Sequence, residues 1–260
     1  MNNVVVPLRR VPKIADPEKV SAMVVAGSGG ASTTTTAFGL ATALRLGTGE
    51  EVTAVDSTTD GGNLLARSRF RAIDPARSIE GLSSRMAETS SGMVVVGSSH
   101  QDRPTDPAMV DLLLESRNSA RVYDVGTALR SQRLAPLIES GAVLVVVAPA
   151  RSEPLSRMRE AMTWLIATYG ADTLEETIVV VSHQMPTSPV DLAPIRDALT
   201  PRVAGFVEIP FDPELARPGV LDHRRLSAAT LDAWTDALDV LGTRVPPTAD
   251  RFDAETEARA

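Results

Sequence analysis

Seven short apolar runs punctuate the chain: Ala22–Ala26, Val52–Asp56, Met93–Val96, Arg121–Asp124, Ala142–Ala148, Thr177–Val181 and Val203–Ile209. Two of them, Val143-Leu144-Val145-Val146-Val147 and Ile178-Val179-Val180-Val181, are continuous rather than alternating. Strands covered on both faces read this way, and such strands belong to parallel sheets enclosed by helices. Between the runs the apolar period changes to that of a helix. Thr34–Leu46 carries Ala37, Leu40, Ala41 and Leu44. Glu153–Tyr169 carries Leu155, Met158, Met162, Leu165 and Ile166, and Leu226–Leu241 carries Leu231, Trp234, Leu238 and Leu241. The alternation predicts an α/β fold: a doubly wound, mostly parallel sheet of about seven strands with helices on both faces. Residues 1–20, with three prolines, read as an irregular segment, residues 21–244 as the folded domain, and residues 245–260 as a flexible acidic tail.

Composition narrows the chemistry. With no cysteine among 260 residues, disulfides, thiolate metal sites and a cysteine nucleophile are excluded. The histidines, His100, His183 and His223, form no H-x-x-x-H pair. A formal net charge of −7 argues against DNA or anionic lipid as a partner, since both are held by Lys and Arg. No signal-like segment is present and no run approaches the ~20 apolar residues of a membrane span. A cytoplasmic location is expected, with membrane recruitment left to a partner.

The most informative segment is Val24-Val25-Ala26-Gly27-Ser28-Gly29-Gly30-Ala31-Ser32-Thr33-Thr34-Thr35-Thr36-Ala37. It reads as a buried strand, a loop of small residues, and a helix. Ligands of open α/β sheets bind beyond the carboxyl ends of strands. Loop N–H groups and a helix N-terminus placed there make an anion site.

This string resembles the deviant Walker A motif of the MinD/ParA family of P-loop ATPases, K-G-G-x-G-K-T-T. Laid over it, Gly29, Gly30 and Thr35 match and Ala31 takes the variable position. Ser28 stands where the signature lysine belongs, Ser32 at the third glycine, and Thr33 at the P-loop lysine. Thr34 keeps the hydroxyl that the family uses for Mg²⁺. Val55-Asp56-Ser57-Thr58-Thr59-Asp60-Gly61-Gly62-Asn63-Leu64 is similar to the second motif, V-D-x-D-P-x-G-N-L, with Asp56 at the first aspartate and Thr58 at the second. Asp60 lies two residues further on and is no assured substitute. Arg121-Val122-Tyr123-Asp124-Val125-Gly126 resembles the Walker B strand, and Asp124 takes its metal-linked position. Val145–Pro149 followed by Glu153-Pro154-Leu155 resembles the next strand and the start of its helix. Ser182 and His183 occupy the end of the strand where the family keeps an adenine-reading asparagine. Ile209-Pro210-Phe211-Asp212-Pro213-Glu214-Leu215-Ala216 is similar to I-P-x-D-P-x-L-A, which places Pro210 beside the base.

The series runs in order over roughly residues 20–242. Within the family it looks most like the actinobacterial MinD-like proteins associated with type VII secretion gene clusters. The resemblance implies ATP and Mg²⁺ as cofactors, nucleotide contacts from Gly29 to Thr35 and from Pro210, and a metal set of Thr34, Asp56 and Asp124. Each strand-end aspartate also has a plainer reading as a turn cap. Losing two lysines removes most of the fixed positive charge of such a site, which points away from fast hydrolysis.

Three readings follow. The first is a degenerate family member, a localisation or scaffolding factor for a secretion or cell-envelope machine. The second is a working ATPase in which Arg67 or Arg151 supplies the lost charge. The third is a binder of another phosphate-bearing ligand. A protein partner is expected, with a homodimer as one possibility. DNA is not expected, since Arg224 and Arg225 read as solvated residues, and Arg251–Ala260 offers no face for membrane insertion.

Overall fold

The computed structural model describes residues 10–58, 63–97 and 106–242. Residues 1–9, Asp60-Gly61-Gly62, His100 and the expected tail 245–260 lie outside the described residues. Along the chain stand β1 (Ser21–Ala26), α1 (Thr33–Thr48), β2 (Val52–Asp56), α2 (Leu64–Ser68), β3 (Arg71–Ala72), β4 (Met86–Glu88) and β5 (Val94–Val96). They are followed by α3 (Pro107–Glu115), β6 (Ala120–Gly126), α4 (Ala135–Glu139), β7 (Val143–Pro149), α5 (Ser152–Tyr169), α6 (Asp172–Glu175) and β8 (Ile178–Ser182). Last come α7 (Ala193–Leu199), β9 (Gly205–Ile209), α8 (Pro213–Ala216) and α9 (Ala228–Gly242).

The sheet has nine strands in the order β3-β4-β5-β2-β6-β1-β7-β8-β9, not the seven expected. The seven strands announced by apolar runs are the seven that pair in parallel, from β5 across to β9. The two additions pair antiparallel at one edge. They lack an apolar signal for a physical reason: β3 is two exposed residues, and β4 carries Glu88. That carboxylate is buried and held by ion pairs to Arg71 and Arg77, which keep its pKa below the usual carboxylate value despite burial.

Successive strand residues face opposite sides. Ala22 and Val24 pack under α1 and α9, while Met23 and Val25 pack under α3, α4 and α5. Both faces are therefore covered by helix, the arrangement that the continuous Val and Ile runs require. Helix α1 lies so close to α9 that Gly39 has no room for a side chain: an added Cβ would sit 2.0 Å from Trp234 Cε2. The described part of the N-terminal segment is pinned across the same layer. Lys13 N–H donates to Asp239 Oδ1 at 2.7 Å, and Arg10 pairs with Asp236 and Asp239 of α9.

Gly39 gives a direct test of that helix contact. Helix propensity alone favours alanine there by about 1 kcal/mol. Overpacking against a buried tryptophan costs roughly 1–3 kcal/mol. Gly39→Ala is therefore expected to lower the urea unfolding midpoint. An unchanged or raised midpoint would show that α1 and α9 separate without cost.

Candidate functional site

The neighbouring strands β1 and β7 connect onward in opposite directions along the sheet, β1 to β2 beyond β6 and β7 to β8 on the other side. Such a switch point opens a crevice at the carboxyl ends of the strands. A cleft of about 560 Å³ lies there, within the range of small-molecule sites. Its wall begins with Ser28–Thr36, the loop after β1 and the first turn of α1. Thr58, Asn63 and Arg67 follow from the region after β2, and Gly126 and Thr127 from the end of β6. Ser182, His183 and Gln184 come from the end of β8, Ile209–Asp212 from the end of β9, and Trp234 from α9.

The loop is shaped by two left-handed residues, Gly30 (φ 68°) and Ser32 (φ 67°). Ser32 stands at the helix N-cap in this strained conformation and its side chain caps nothing. The first-turn N–H groups of α1 are left to face the cleft with the positive end of the helix dipole. Gly27 precedes the turn, and a Cβ on it would meet the Arg157 carbonyl oxygen at 2.3 Å, so only glycine lets α5 back onto the loop. Across the cleft, Gln184 Nε2 donates to Gly30 O at 2.7 Å and to Ser32 Oγ at 3.0 Å.

Beneath the loop, the two motif aspartates sit side by side in the register of β2 and β6, Asp56 opposite Asp124. They are used differently. Asp56 accepts from Thr58 N–H at 3.2 Å and Thr58 Oγ1 at 2.7 Å through Oδ1, and from Leu64 N–H at 3.3 Å through Oδ2. It fixes the turn after β2 and the start of α2. Asp124 is fully buried, and Thr34 Oγ1 donates to its Oδ2 at 2.5 Å. Its Oδ1 has no hydrogen-bond partner among the described residues. Burial is the main force pushing this carboxyl up to about 6; Asp56 adds to it, and hydroxyls of Thr34 and Thr33 and the Gly126 N–H oppose it. The structure thus brings Thr34 and Asp124 into contact and sets Asp56 next to them with its oxygens engaged in its own turn.

The base-side expectations resolve similarly. Pro210 lines the cleft. His183 is tied through Nε2 to Glu208 at 2.8 Å, and burial lowers its pKa, which favours the neutral ring. The Ser182 hydroxyl is buried without a partner. Asp212 is a buried hub, accepting from the N–H groups of Glu214 and Ser227 and from Thr230 Oγ1 at 2.8–2.9 Å. Of the two arginines named from sequence, Arg67 lines the cleft and Arg151 stands outside it at the N-cap of α5. Gln184 and Trp234 were not foreseen. The position of Gln184 two residues past a parallel strand's carboxyl end was the available signal.

No family model and no curated protein sequence matches this chain. Solved structures do. A ParA family ATPase from Chlorobium tepidum TLS superimposes with a TM-score of 0.64 at 14% identity, over 85% of this chain and 98% of that one. The MinC:MinD cell division complex of Aquifex aeolicus gives 0.58 at 16% identity, over 87% and 98%. The cobyrinic acid a,c-diamide synthase of Mycobacterium smegmatis, with bound ATP analog and magnesium, gives 0.50 at 15% identity, over 85% and 94%. The chain is similar to these proteins in fold: its α/β sheet is that of the ParA and MinD ATPases.

Asp124 makes the cost of the site measurable. Its folded pKa of about 6 lies above the ordinary 3.8, so between those values the folded chain holds a proton that the unfolded chain has lost. Its contribution to stability therefore falls as pH rises through that window, and at pH 7 the buried charge opposes folding. Asp124→Asn is expected to be more stable than the wild type at pH 7 by on the order of 1–2 kcal/mol. The difference should shrink below pH ~4, where both forms are neutral at this site. Denaturant melts at several pH values check this; a variant less stable at pH 7 than at pH 4, relative to wild type, would refute it.

Proposed function

We propose that residues 21–244 form a degenerate MinD/ParA-like domain that holds a nucleotide with Mg²⁺ and turns it over slowly or not at all. The supporting observation is the pairing of Thr34 with Asp124, whose second oxygen has no protein partner, below a loop with Ser28 and Thr33 at both lysine positions. An oxygen set of this kind suits Mg²⁺, which would neutralise phosphate charge there. Thr34 and Asp124 would hold that ion, and Asp56 supports them by fixing the neighbouring turn. The N–H groups of Gly29–Thr35 would carry the phosphates.

Hydrolysis is the step these residues serve badly. Lysines would stabilise the charge that builds up during phosphoryl transfer, and none is found among the described residues that line the cleft. The position that orients water in the resembled motif is Thr58, whose hydroxyl donates to Asp56 and is no base near neutrality. A chain that binds without turnover is suited to a role in localisation or scaffolding, carried through a protein partner. The similar MinD was solved together with MinC, which is in keeping with a partner of that class. A secretion or cell-envelope machine is the destination we favour. The acidic surface disfavours DNA.

Calorimetry with ATP and ADP, with and without Mg²⁺, and phosphate release on the same sample test the reading. The expected result is micromolar Mg²⁺-dependent binding, at least tenfold weaker in Thr34→Ala, with negligible phosphate release. Turnover approaching ~1 s⁻¹, an ordinary enzyme rate, would make the protein a working ATPase and defeat the proposal. Absence of binding to either nucleotide would defeat it as well.

A further inference from the structure

The cleft has almost no positive charge of its own. Among its described lining residues only Arg67 and His183 are basic. His183 is occupied by Glu208 and favours its neutral form. The floor beneath holds Asp56 and Asp124. An anion entering this site meets one permanent cation, and that cation comes from α2 rather than from the loop.

The state of Arg67 is unusual for a half-buried guanidinium. Among the described residues no carboxylate lies within 4.0 Å of it, whereas the similarly half-buried Arg77 and the buried Arg121 are both paired with carboxylates. Its Nε is buried without a hydrogen-bond partner. Among the described residues its Nη2 reaches only the carbonyls of Leu215 and Arg217, at 3.3 and 3.4 Å, beyond the ordinary N–H···O range. A desolvated charge without a counter-ion is costly, and the cost falls when an anion arrives. Meanwhile its backbone is well fixed. Leu221 N–H donates to Arg67 O at 2.6 Å, and the start of α2 is held through Leu64 to Asp56.

We propose that Arg67 grips the phosphate chain of a nucleoside di- or triphosphate in this cleft and replaces, from the opposite wall, the charge missing at Ser28 and Thr33. The inference rests on the nucleotide reading above. A guanidinium matches phosphate oxygens with paired N–H groups, which a backbone loop alone does not supply with charge. The alternative for Arg67 is purely structural, as a tie between α2 and the segment 215–217.

The two roles separate by ligand. MgATP and adenosine are titrated into the wild type, Arg67→Met, which keeps the apolar stem, and Arg67→Lys, with a thermal melt of each. Charge-assisted hydrogen bonds contribute about 1.5–3 kcal/mol, so Arg67→Met should weaken MgATP by roughly 10- to 100-fold while leaving adenosine unchanged. Arg67→Lys should recover part of the loss. Equal losses for MgATP and adenosine, or no loss for either, would overturn the role of Arg67 and leave the nucleotide reading standing. A wild type that binds neither probe would overturn both. Should Arg67→Met not fold, Arg67→Gln, which retains a donor for the Leu215 carbonyl, is judged by the same criteria.

Discussion

A carboxylate without water around it is the constraint from which the site follows. Asp124 sits at the end of a central strand with zero exposure, and another carboxylate lies beside it in register. Taking such a group out of water costs several kcal/mol unless donors surround it. The contacts that oppose the cost are few: a hydrogen bond from the Thr34 hydroxyl, and the nearby dipoles of the Thr33 hydroxyl and the Gly126 N–H. The local backbone bends to provide them. The register of β1 on β6 slips between Val24 and Val25, Gly126 takes φ 59°, and α1 begins directly over the aspartate. Bulges beside functional sites commonly re-aim a side chain in this way.

Asp56 shows how the neighbouring charge is kept from adding fully to that cost. It accepts hydrogen bonds from its own turn and from the first residue of α2, so it is solvated by local backbone and by Thr58. Two aspartates in equal sequence contexts thus do unlike work. One is a turn cap, the plainer reading that sequence left open for both. The other carries an oxygen with no protein partner, which stability alone gives no reason to keep.

Legibility followed the physics of each element. The seven parallel strands were readable because burial on both faces demands uninterrupted apolar residues, as in Val143–Val147. The antiparallel edge was not, because Arg71 is exposed and Glu88 is buried only by virtue of partners remote in sequence. In the site, the Gly-rich loop and both aspartates were legible as local motifs. Gln184 was not: its two bonds to the loop span more than 150 residues, and no local pattern announces a clamp of that kind. Trp234 was read as core, which its burial and its seat over Gly39 support, but its indole N–H is left unpartnered at the wall of the cleft.

Thr33 is the point where fold and chemistry part. At the position of the P-loop lysine, the resemblance anticipates a cation directed at phosphate. Here stands a short uncharged hydroxyl, whose nearby dipole favours the charged form of Asp124. The loop therefore offers no side-chain cation to phosphate, while Gln184 donates to the Gly30 carbonyl. What is left for a ligand is backbone N–H groups, a helix dipole and Arg67. Fixed dipoles of this kind can hold an anion; what the loop lacks is the lysine charge that stabilises the transition state of phosphoryl transfer. On the function proposed above, such a site acts as a holder rather than an engine.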